Sequence, residues 1–157
     1  WDFWYAMAAC RILRLKIRYT IKKEWMRFPF SLITKPLGGI AIDRSARKEN
    51  EERISHTDAM INLYKHEQEL IVVITPEGSR SKREQWKTGF YHVATTAGVP
   101  IALAYMDYAK KKTGVGKIVY PTGDYEKDMA EIMSFYAEIN AKFPENFSVD
   151  QRYTDSK

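Results

Sequence analysis

The sequence is poor in cysteine and histidine and has no long hydrophobic run. Only one of its 157 residues is cysteine and three are histidine. An internal disulfide is therefore excluded, and no spacing of ligands indicates a metal site. Cys10 lies among apolar residues, which favours a reducing compartment over secretion. No stretch approaches the roughly 20 apolar residues of a membrane-spanning helix. We therefore expect a cytoplasmic protein.

Length and charge narrow the classes further. A chain of 157 residues fits a single domain, residues 1–157, that can bury a core. Lysine and arginine total 25 against 20 aspartate and glutamate, which gives a formal charge of +5. Such a balance favours partners that carry phosphate or an anionic surface, so nucleic acid and membrane both remain open at this point.

Helices and strands alternate along the sequence. Apolar spacing predicts helices at residues 3–13, 28–35 and 88–97, one that includes Ile54, Ile61 and Tyr64, and one with Met129, Ile132, Met133, Tyr136 and Ile139. The predicted strands are "LKIRYTI", "IAID", "ELIVVIT", "VPIALAYMDY" and "KIVYP". This alternation predicts an α/β sandwich with a mostly parallel or mixed central sheet flanked by helices.

Three further expectations concern the connections and the sheet. "ELIVVIT" is apolar without alternation, which predicts a central strand covered on both faces. Residues 110–116 are expected to form a basic turn, and the polar tail from about residue 144 is expected to be peripheral.

Two predicted strands are each followed by a segment that carries an arginine. After "ELIVVIT", Gly78 permits positive φ and Arg80 offers a planar fork for a phosphate. Glu77 can orient that arginine or accept a hydrogen bond from a ligand hydroxyl. After "IAID" comes Arg44. Both arginines are equally consistent with unrelated surface ion pairs, so a shared anion site is a hypothesis.

These residues resemble a known family. "TPEGSRS" at residues 75–81 is similar to the Phe-Pro-Glu-Gly-Thr-Arg-Ser block of the 1-acyl-glycerol-3-phosphate (lysophospholipid) acyltransferases. "GGIAIDR" at residues 38–44 resembles their Gly-x-x-Phe-Ile-Asp-Arg block, and "VPI" at 99–101 resembles their Val-Pro-Ile strand. The resemblance covers residues 1 to about 120. It implies the glycerolipid-acyltransferase sandwich and an acyl-thioester donor, either acyl-CoA or acyl carrier protein, with no further cofactor.

The resemblance also implies a catalytic pair. Asp2 matches the aspartate of the family's His-x-x-x-x-Asp motif, so its histidine would lie upstream of Trp1 and residues would be missing there. Asp2 also suits the start of the following helix. His56 and His66 are expected on the surface and His92 packed in a helix, and none has an aspartate five residues downstream. We therefore expect these 157 residues alone to be inactive.

The resemblance also implies which residues bind the two substrates. The resemblance implies that Arg44, Glu77, Gly78, Ser79 and Arg80 bind the phosphate and glycerol of a lysophosphatidate-like acceptor. It implies that Val99, Pro100 and Ile101 line an acyl pocket. Thr75, Ala41 and Leu103 depart from the family pattern, which leaves the acceptor and the acyl-chain length open.

Membrane attachment is expected at the surface, on the inner face. "CRILRLKIRY" and "IKKEWMRFPF" interleave basic and apolar residues, as peripheral membrane segments do, although core packing is an alternative for each. We favour core packing for the first and membrane contact for the second. Lys110, Lys111, Lys112 and Lys117 suit either an acidic carrier or coenzyme A phosphates, or a solvated loop.

The sequence thus favours a fatty acyltransferase of phospholipid biosynthesis. A different acceptor, such as a lyso-aminolipid, and a noncatalytic lipid or acyl-thioester binder are the alternatives. A nucleic-acid module is disfavoured because the sequence has no RNA-recognition block and no basic recognition helix.

Overall fold

A computed structural model of the chain describes residues 2–15, 17–22, 27–34, 36, 38–42, 55–67, 69–78 and 82–154. The chain divides into two compact units. The sheet unit comprises Cys10–Ile74, and the hairpin unit comprises Trp1–Ala9 with Thr75–Lys157. Helices and strands are mixed in the chain, so its class is α/β.

The first elements lie where the sequence predicts them. They are α1 (Asp2–Ile12), β1 (Ile17–Lys22), the short α2 (Ser31–Thr34), β2 (Gly39–Ile42), α3 (His56–His66) and β3 (Ile71–Val73). Ser55 begins α3, because its hydroxyl accepts a hydrogen bond from the Asp58 N–H at 3.1 Å. Ile61 of the predicted apolar face is buried and Tyr64 is half-buried, while Ile54 lies outside the described residues.

The sheet unit holds a three-stranded parallel sheet in the order β2-β1-β3. Tyr19 of β1 lies opposite Gly39 on one side and Val73 on the other. A Cβ on Gly38 would collide with the Ile17 carbonyl oxygen, and Gly38 has φ +89°. Only glycine therefore lets β2 begin this close to β1.

"ELIVVIT" was predicted to form the central strand, and within this three-stranded sheet that prediction is wrong. β3 is at an edge of the sheet, and β1 lies between its two neighbours. Ile71 and Val73 are 41% and 48% exposed. The apolar run identifies a strand correctly, but the order of parallel strands is set by the crossover connections rather than by the hydrophobicity of one strand.

The hairpin unit contains the remaining helices and strands of the described residues. Its elements are α4 (Gly89–Ala97), the antiparallel pair β4 (Ile101–Asp107) and β5 (Lys112–Val119), α5 (Tyr125–Ala137) and two single 3₁₀ turns, Pro144–Asn146 and Gln151–Tyr153. The predicted basic turn at 110–116 is wrong in length, because Lys112 already belongs to β5. The connection closes early since the Asp107 carboxylate accepts from the Lys110 N–H at 2.8 Å and Lys111 takes φ 51°.

The core of the hairpin unit confirms the helical spacing predicted near the C-terminus. Met129, Ile132 and Met133 of α5 are at most 1% exposed. They pack with three buried residues from the loop and the two strands, Trp86, Leu103 and Val119. Burial of side chains this large contributes about 1.5–3 kcal/mol each, so this cluster is the main source of stability in the unit.

The tail is not peripheral throughout, contrary to expectation. Asp150 is 0% exposed, and its carboxylate accepts from the Trp86 N–H at 2.9 Å. A polar composition had indicated solvent exposure, whereas here the polar residue serves as a buried hydrogen-bond acceptor. In the described parts of the chain, no helix is both long enough and apolar enough to span a membrane.

Candidate functional site

The carboxyl ends of the three parallel strands all lie at the same end of the sheet in the sheet unit. β2 ends at Ile42, opposite Lys22 of β1, and β3 ends at Val73 on the other side of β1. Because all three strands are parallel, β2 and β3 both end at the carboxyl end of the sheet, which is where ligands bind in open α/β sheets. Arg44 follows β2 by two residues and lies outside the described residues.

The Pro76-Glu77-Gly78 segment forms the turn that the sequence predicts. The Gly78 N–H donates to the Thr75 carbonyl oxygen at 3.1 Å. Gly78 has φ +61°, a conformation that a side chain disfavours. The glycine of the Glu-Gly block is thus required by the backbone. Ser79 and Arg80 lie outside the described residues, so their roles stay predictions.

Glu77 is half-buried in this turn. Burial raises the pKa of its carboxyl group, because the charged form loses solvation. A cationic partner would act in the opposite direction. The predicted roles of Glu77, orienting an arginine or accepting from a ligand hydroxyl, stay predictions.

Lys87 lies beside the turn and was missed by the sequence analysis. Its N–H donates to the Pro76 carbonyl oxygen at 2.9 Å, which closes the loop that starts at the turn. A Cβ built on Gly78 would lie 2.7 Å from the Lys87 Nζ and 2.8 Å from its Cε, so the ammonium group rests against Gly78. None of the ion pairs formed between described residues uses Lys87. No local signal in the sequence marks this lysine, since the contact spans the loop.

The predicted acyl-pocket residues follow a regular helix end. Gly98 adopts φ 66°, and the N–H groups of Gly98 and Val99 donate to carbonyl oxygens of the last turn of α4 at 3.3 and 3.0 Å. Val99 is half-buried and Pro100 is exposed. Ile101 packs against the core of the hairpin unit. A role for these residues in an acyl pocket stays a prediction.

The hairpin unit has a surface hollow of about 340 Å³, and none of the predicted site residues that the structure describes lines it. Thr88, Tyr91, His92, Thr95 and Tyr125 line it. His92 is exposed there, so the expectation of a packed histidine is wrong. The helical face of His92 points away from the core because its neighbours Tyr91 and Val93 occupy the buried side of α4.

Asp2 is the first residue of α1, as expected for an aspartate at a helix start. The other two histidines lie at the two ends of α3, where His56 is the first residue and His66 is the last. Among the described residues, no three or more histidine, cysteine, aspartate or glutamate side chains gather into a metal site.

Two of the lysines considered for a carrier protein already have carboxylate partners. Lys117 pairs with Glu131 at 2.9 Å, and Lys110 lies 3.6 Å from the Asp107 carboxylate. The Lys117–Glu131 pair is exposed on both sides and therefore contributes little stability, whereas the Asp107 carboxylate is buried.

Exposed apolar side chains gather in the sheet unit. Phe28, Phe30 and Leu32 are 81%, 49% and 68% exposed. Ile12 and Leu13 are 81% and 50% exposed, so core packing, which we favoured for the first basic-apolar segment, is wrong for these two residues.

Comparison with known proteins agrees with the motif pattern at the level of the family. A family model described as Acyltransferase matches residues 1–107. No curated protein and no solved structure matches the chain. The family match covers well over half of the sequence, including α1, the parallel sheet, the Glu-Gly turn and the Val-Pro-Ile strand, and the chain therefore belongs to the acyltransferase family.

Proposed function

We propose that the protein transfers a fatty acyl group from acyl-CoA or acyl carrier protein to a hydroxyl of a lysophospholipid such as 1-acyl-glycerol-3-phosphate. Family membership supports acyl transfer in general. The observation that carries the finer proposal is the turn at Gly78, where the Lys87 ammonium group lies against a glycine of positive φ and places a positive charge at the turn. The proposal includes the glycerolipid-acyltransferase sandwich as the complete fold.

The proposed chemistry requires a base for the acceptor hydroxyl. A histidine upstream of Trp1 removes the hydroxyl proton while the oxygen attacks the thioester carbonyl carbon. Asp2 holds the imidazole in the correct tautomer and stabilises its protonated form. Collapse of the tetrahedral intermediate breaks the carbon–sulfur bond, and the departing thiolate receives the proton. The products are an ester and a free thiol.

Acceptor binding in this proposal depends on charge. Arg44 and Arg80 hold the phosphate through paired hydrogen bonds, with Ser79 beside them. In the sequence, the two arginines follow β2 and β3, which run parallel to β1 in the sheet unit. Lys87 adds a further positive charge, and Glu77 accepts from a glycerol hydroxyl. Val99, Pro100 and Ile101 contribute to the acyl pocket.

We also propose that the protein binds the inner face of the membrane peripherally. Phe28, Phe30 and Leu32 are exposed within one short segment, with the exposed Arg27 beside them. Exposed apolar groups next to a cation suit shallow insertion among anionic headgroups. The lipid acceptor would then be reached at the membrane surface.

The test is a steady-state assay of a chain extended upstream of Trp1. Release of free thiol from a long-chain acyl-CoA, or from acyl carrier protein, is followed with and without lysophosphatidate. Asp2→Asn is expected to lower kcat, and Arg80→Ala to raise the KM of the acceptor by about tenfold or more, since a charge-assisted contact is lost. Arg83→Ala, which removes the same charge from the same loop, is the control and is expected to have little effect.

The outcomes separate the alternatives. Transfer to a lyso-aminolipid but not to lysophosphatidate would keep the reaction and replace the acceptor. Binding of acyl-CoA without thiol release from either donor would contradict the enzymatic proposal and indicate a noncatalytic binder.

A further inference from the structure

The C-terminal residues 148–153, here called the strap, bind the chain that returns from the Glu-Gly turn. The Trp86 N–H donates to the Asp150 Oδ2 at 2.9 Å, and the Trp86 Nε1–H donates to the Ser148 carbonyl oxygen at 3.1 Å. The Ser148 hydroxyl donates to the Arg83 carbonyl oxygen. Three hydrogen bonds therefore join the strap to residues 83–86, more than sixty positions earlier in the chain.

Asp150 is the central acceptor of this contact. Its side chain is 0% exposed, and the Arg152 guanidinium donates to its two oxygens at 2.9 and 2.6 Å. These bonds from Arg152 are the main reason that the pKa of Asp150 is lowered, and they outweigh the effect of burial. A buried carboxylate must be paired to remain charged, and Arg152 supplies that pairing. The same carboxylate also accepts the hydrogen bond from the Trp86 N–H.

Trp86 transmits this constraint to the turn. Its indole ring is 7% exposed in the core and lies 5.4 Å from the Tyr136 ring centroid. The next residue, Lys87, donates its N–H to the Pro76 carbonyl oxygen at 2.9 Å and covers Gly78 with its side chain. The chain around Lys87 is thus held on one side by the Pro76 carbonyl of the turn and on the other by Trp86 and the strap.

We infer that Asp150 is a positioning residue for acceptor binding. It touches neither substrate nor reacting atoms in the proposed reaction. Through the Trp86 N–H it fixes the adjacent Lys87, whose ammonium group lies against Gly78, so that this positive charge is already in place when the acceptor phosphate binds. This inference rests on the proposed function of the turn as the acceptor's phosphate site.

The consequence is specific to one substrate. If the strap loosens, Lys87 is no longer held beside the turn, and the KM of the acceptor rises while the KM of the acyl donor stays unchanged. Trypsin also cleaves faster after Lys82 and Arg83, because the backbone at Arg83 loses its hydrogen bond from Ser148.

The experiment compares Asp150→Asn with Asp107→Asn in the full-length protein. Asp107 is also a buried carboxylate with a lowered pKa, held mainly by the Lys110 N–H and also by Asn140, and it has no contact with the loop among its described hydrogen bonds. Two readouts are taken well below the unfolding midpoint. One is the rate of trypsin cleavage after Lys82 and Arg83, followed by mass spectrometry, and the other is the KM for lysophosphatidate and for acyl-CoA.

We expect Asp150→Asn to accelerate loop cleavage and to raise the acceptor KM, each by roughly five- to tenfold, with an unchanged donor KM. Asp107→Asn is expected to lower the unfolding midpoint without either effect. If Asp150→Asn does not fold, Ser148→Ala takes its place, because it removes only the bond to the Arg83 carbonyl and is expected to act in the same direction.

A drop in midpoint with unchanged cleavage and unchanged KM would overturn the inference and leave the strap as a purely stabilising contact. Faster cleavage with an unchanged acceptor KM would also overturn it, because the loop would then be held without serving the acceptor. If the unaltered protein does not acylate lysophosphatidate, the proposed function fails and Asp150 loses its role in acceptor binding. The trypsin comparison still decides separately whether the strap holds the loop.

Discussion

The hydrogen bond between Tyr91 and Asp128 fixes α4, the helix after the Glu-Gly loop, onto α5. The Tyr91 hydroxyl donates to the Asp128 Oδ2 at 2.7 Å, and the side chains are 7% and 1% exposed. Thr122 supplies two more donors, its N–H at 2.7 Å and its hydroxyl at 2.8 Å. Burial would raise the pKa of Asp128, but these three hydrogen bonds outweigh it and lower the pKa.

We predict that Tyr91→Phe lowers the free energy of unfolding by about 1.5–3 kcal/mol at pH 7. That range is typical of a buried hydrogen bond to a charged group. Phenylalanine keeps the ring, which packs edge-on against Tyr125 at 4.9 Å between centroids, so little packing energy should be lost. Urea denaturation followed by fluorescence gives the free energy directly.

The pH dependence has a definite sign. The folded pKa of Asp128 is below the unfolded value, so its contribution is present above the unfolded pKa and is lost as the pH falls through the folded one. The difference between the unaltered protein and Tyr91→Phe should therefore be largest near neutral pH and shrink below about pH 4. A double-mutant cycle with Asp128→Asn should show coupling of more than about 1 kcal/mol.

Two results would refute this reasoning. One is a loss below about 0.5 kcal/mol for Tyr91→Phe, the range of ordinary surface substitutions. The other is an equal loss for Tyr91→Phe in the Asp128→Asn background, which would assign the effect to packing instead of the hydrogen bond.

Three further predictions address the turn, the core and the membrane-facing segment. Gly78→Ala should destabilise the turn by about 1–2 kcal/mol because of its positive φ, measured by urea denaturation, and an unchanged stability would contradict the conformation described. Leu103→Ala, at a site 2% exposed, should cost about 2–5 kcal/mol in the same assay, whereas Leu13→Ala, at a site 50% exposed, should cost far less. Phe28→Ser should weaken binding to anionic lipid vesicles in a sedimentation assay, and equal binding would contradict insertion at this segment.

Features set by short-range chemistry could be predicted from the sequence. The turn at Gly78 and the end of α4 at Gly98 both follow from the freedom of glycine at positive φ. The buried face of α5 could be predicted because its apolar residues recur at helical spacing and therefore lie on one side of the helix. These predictions depend on a few adjacent residues, which a sequence displays directly.

Features set by distant partners could not be predicted. The residues around Asp150 do not indicate that its carboxylate accepts a hydrogen bond from the Trp86 N–H, which is 64 positions away in the sequence. The position of β3 at a sheet edge depends on where two crossovers place it, and the position of Lys87 over Gly78 depends on the closure of the loop. Of the candidate site, the turn was therefore found from sequence, while the residues that hold it were not.

The most direct test of acyl transfer to a lysophospholipid is a product analysis of the upstream-extended chain. The protein is incubated with lysophosphatidate and a long-chain acyl-CoA, and lipids and free thiol are quantified by liquid chromatography and mass spectrometry. We predict diacylated acceptor and free coenzyme A in equal amounts, both strongly reduced in Asp2→Asn. Free coenzyme A without an acylated acceptor, or no product with either acyl-CoA or acyl carrier protein, would contradict the proposal.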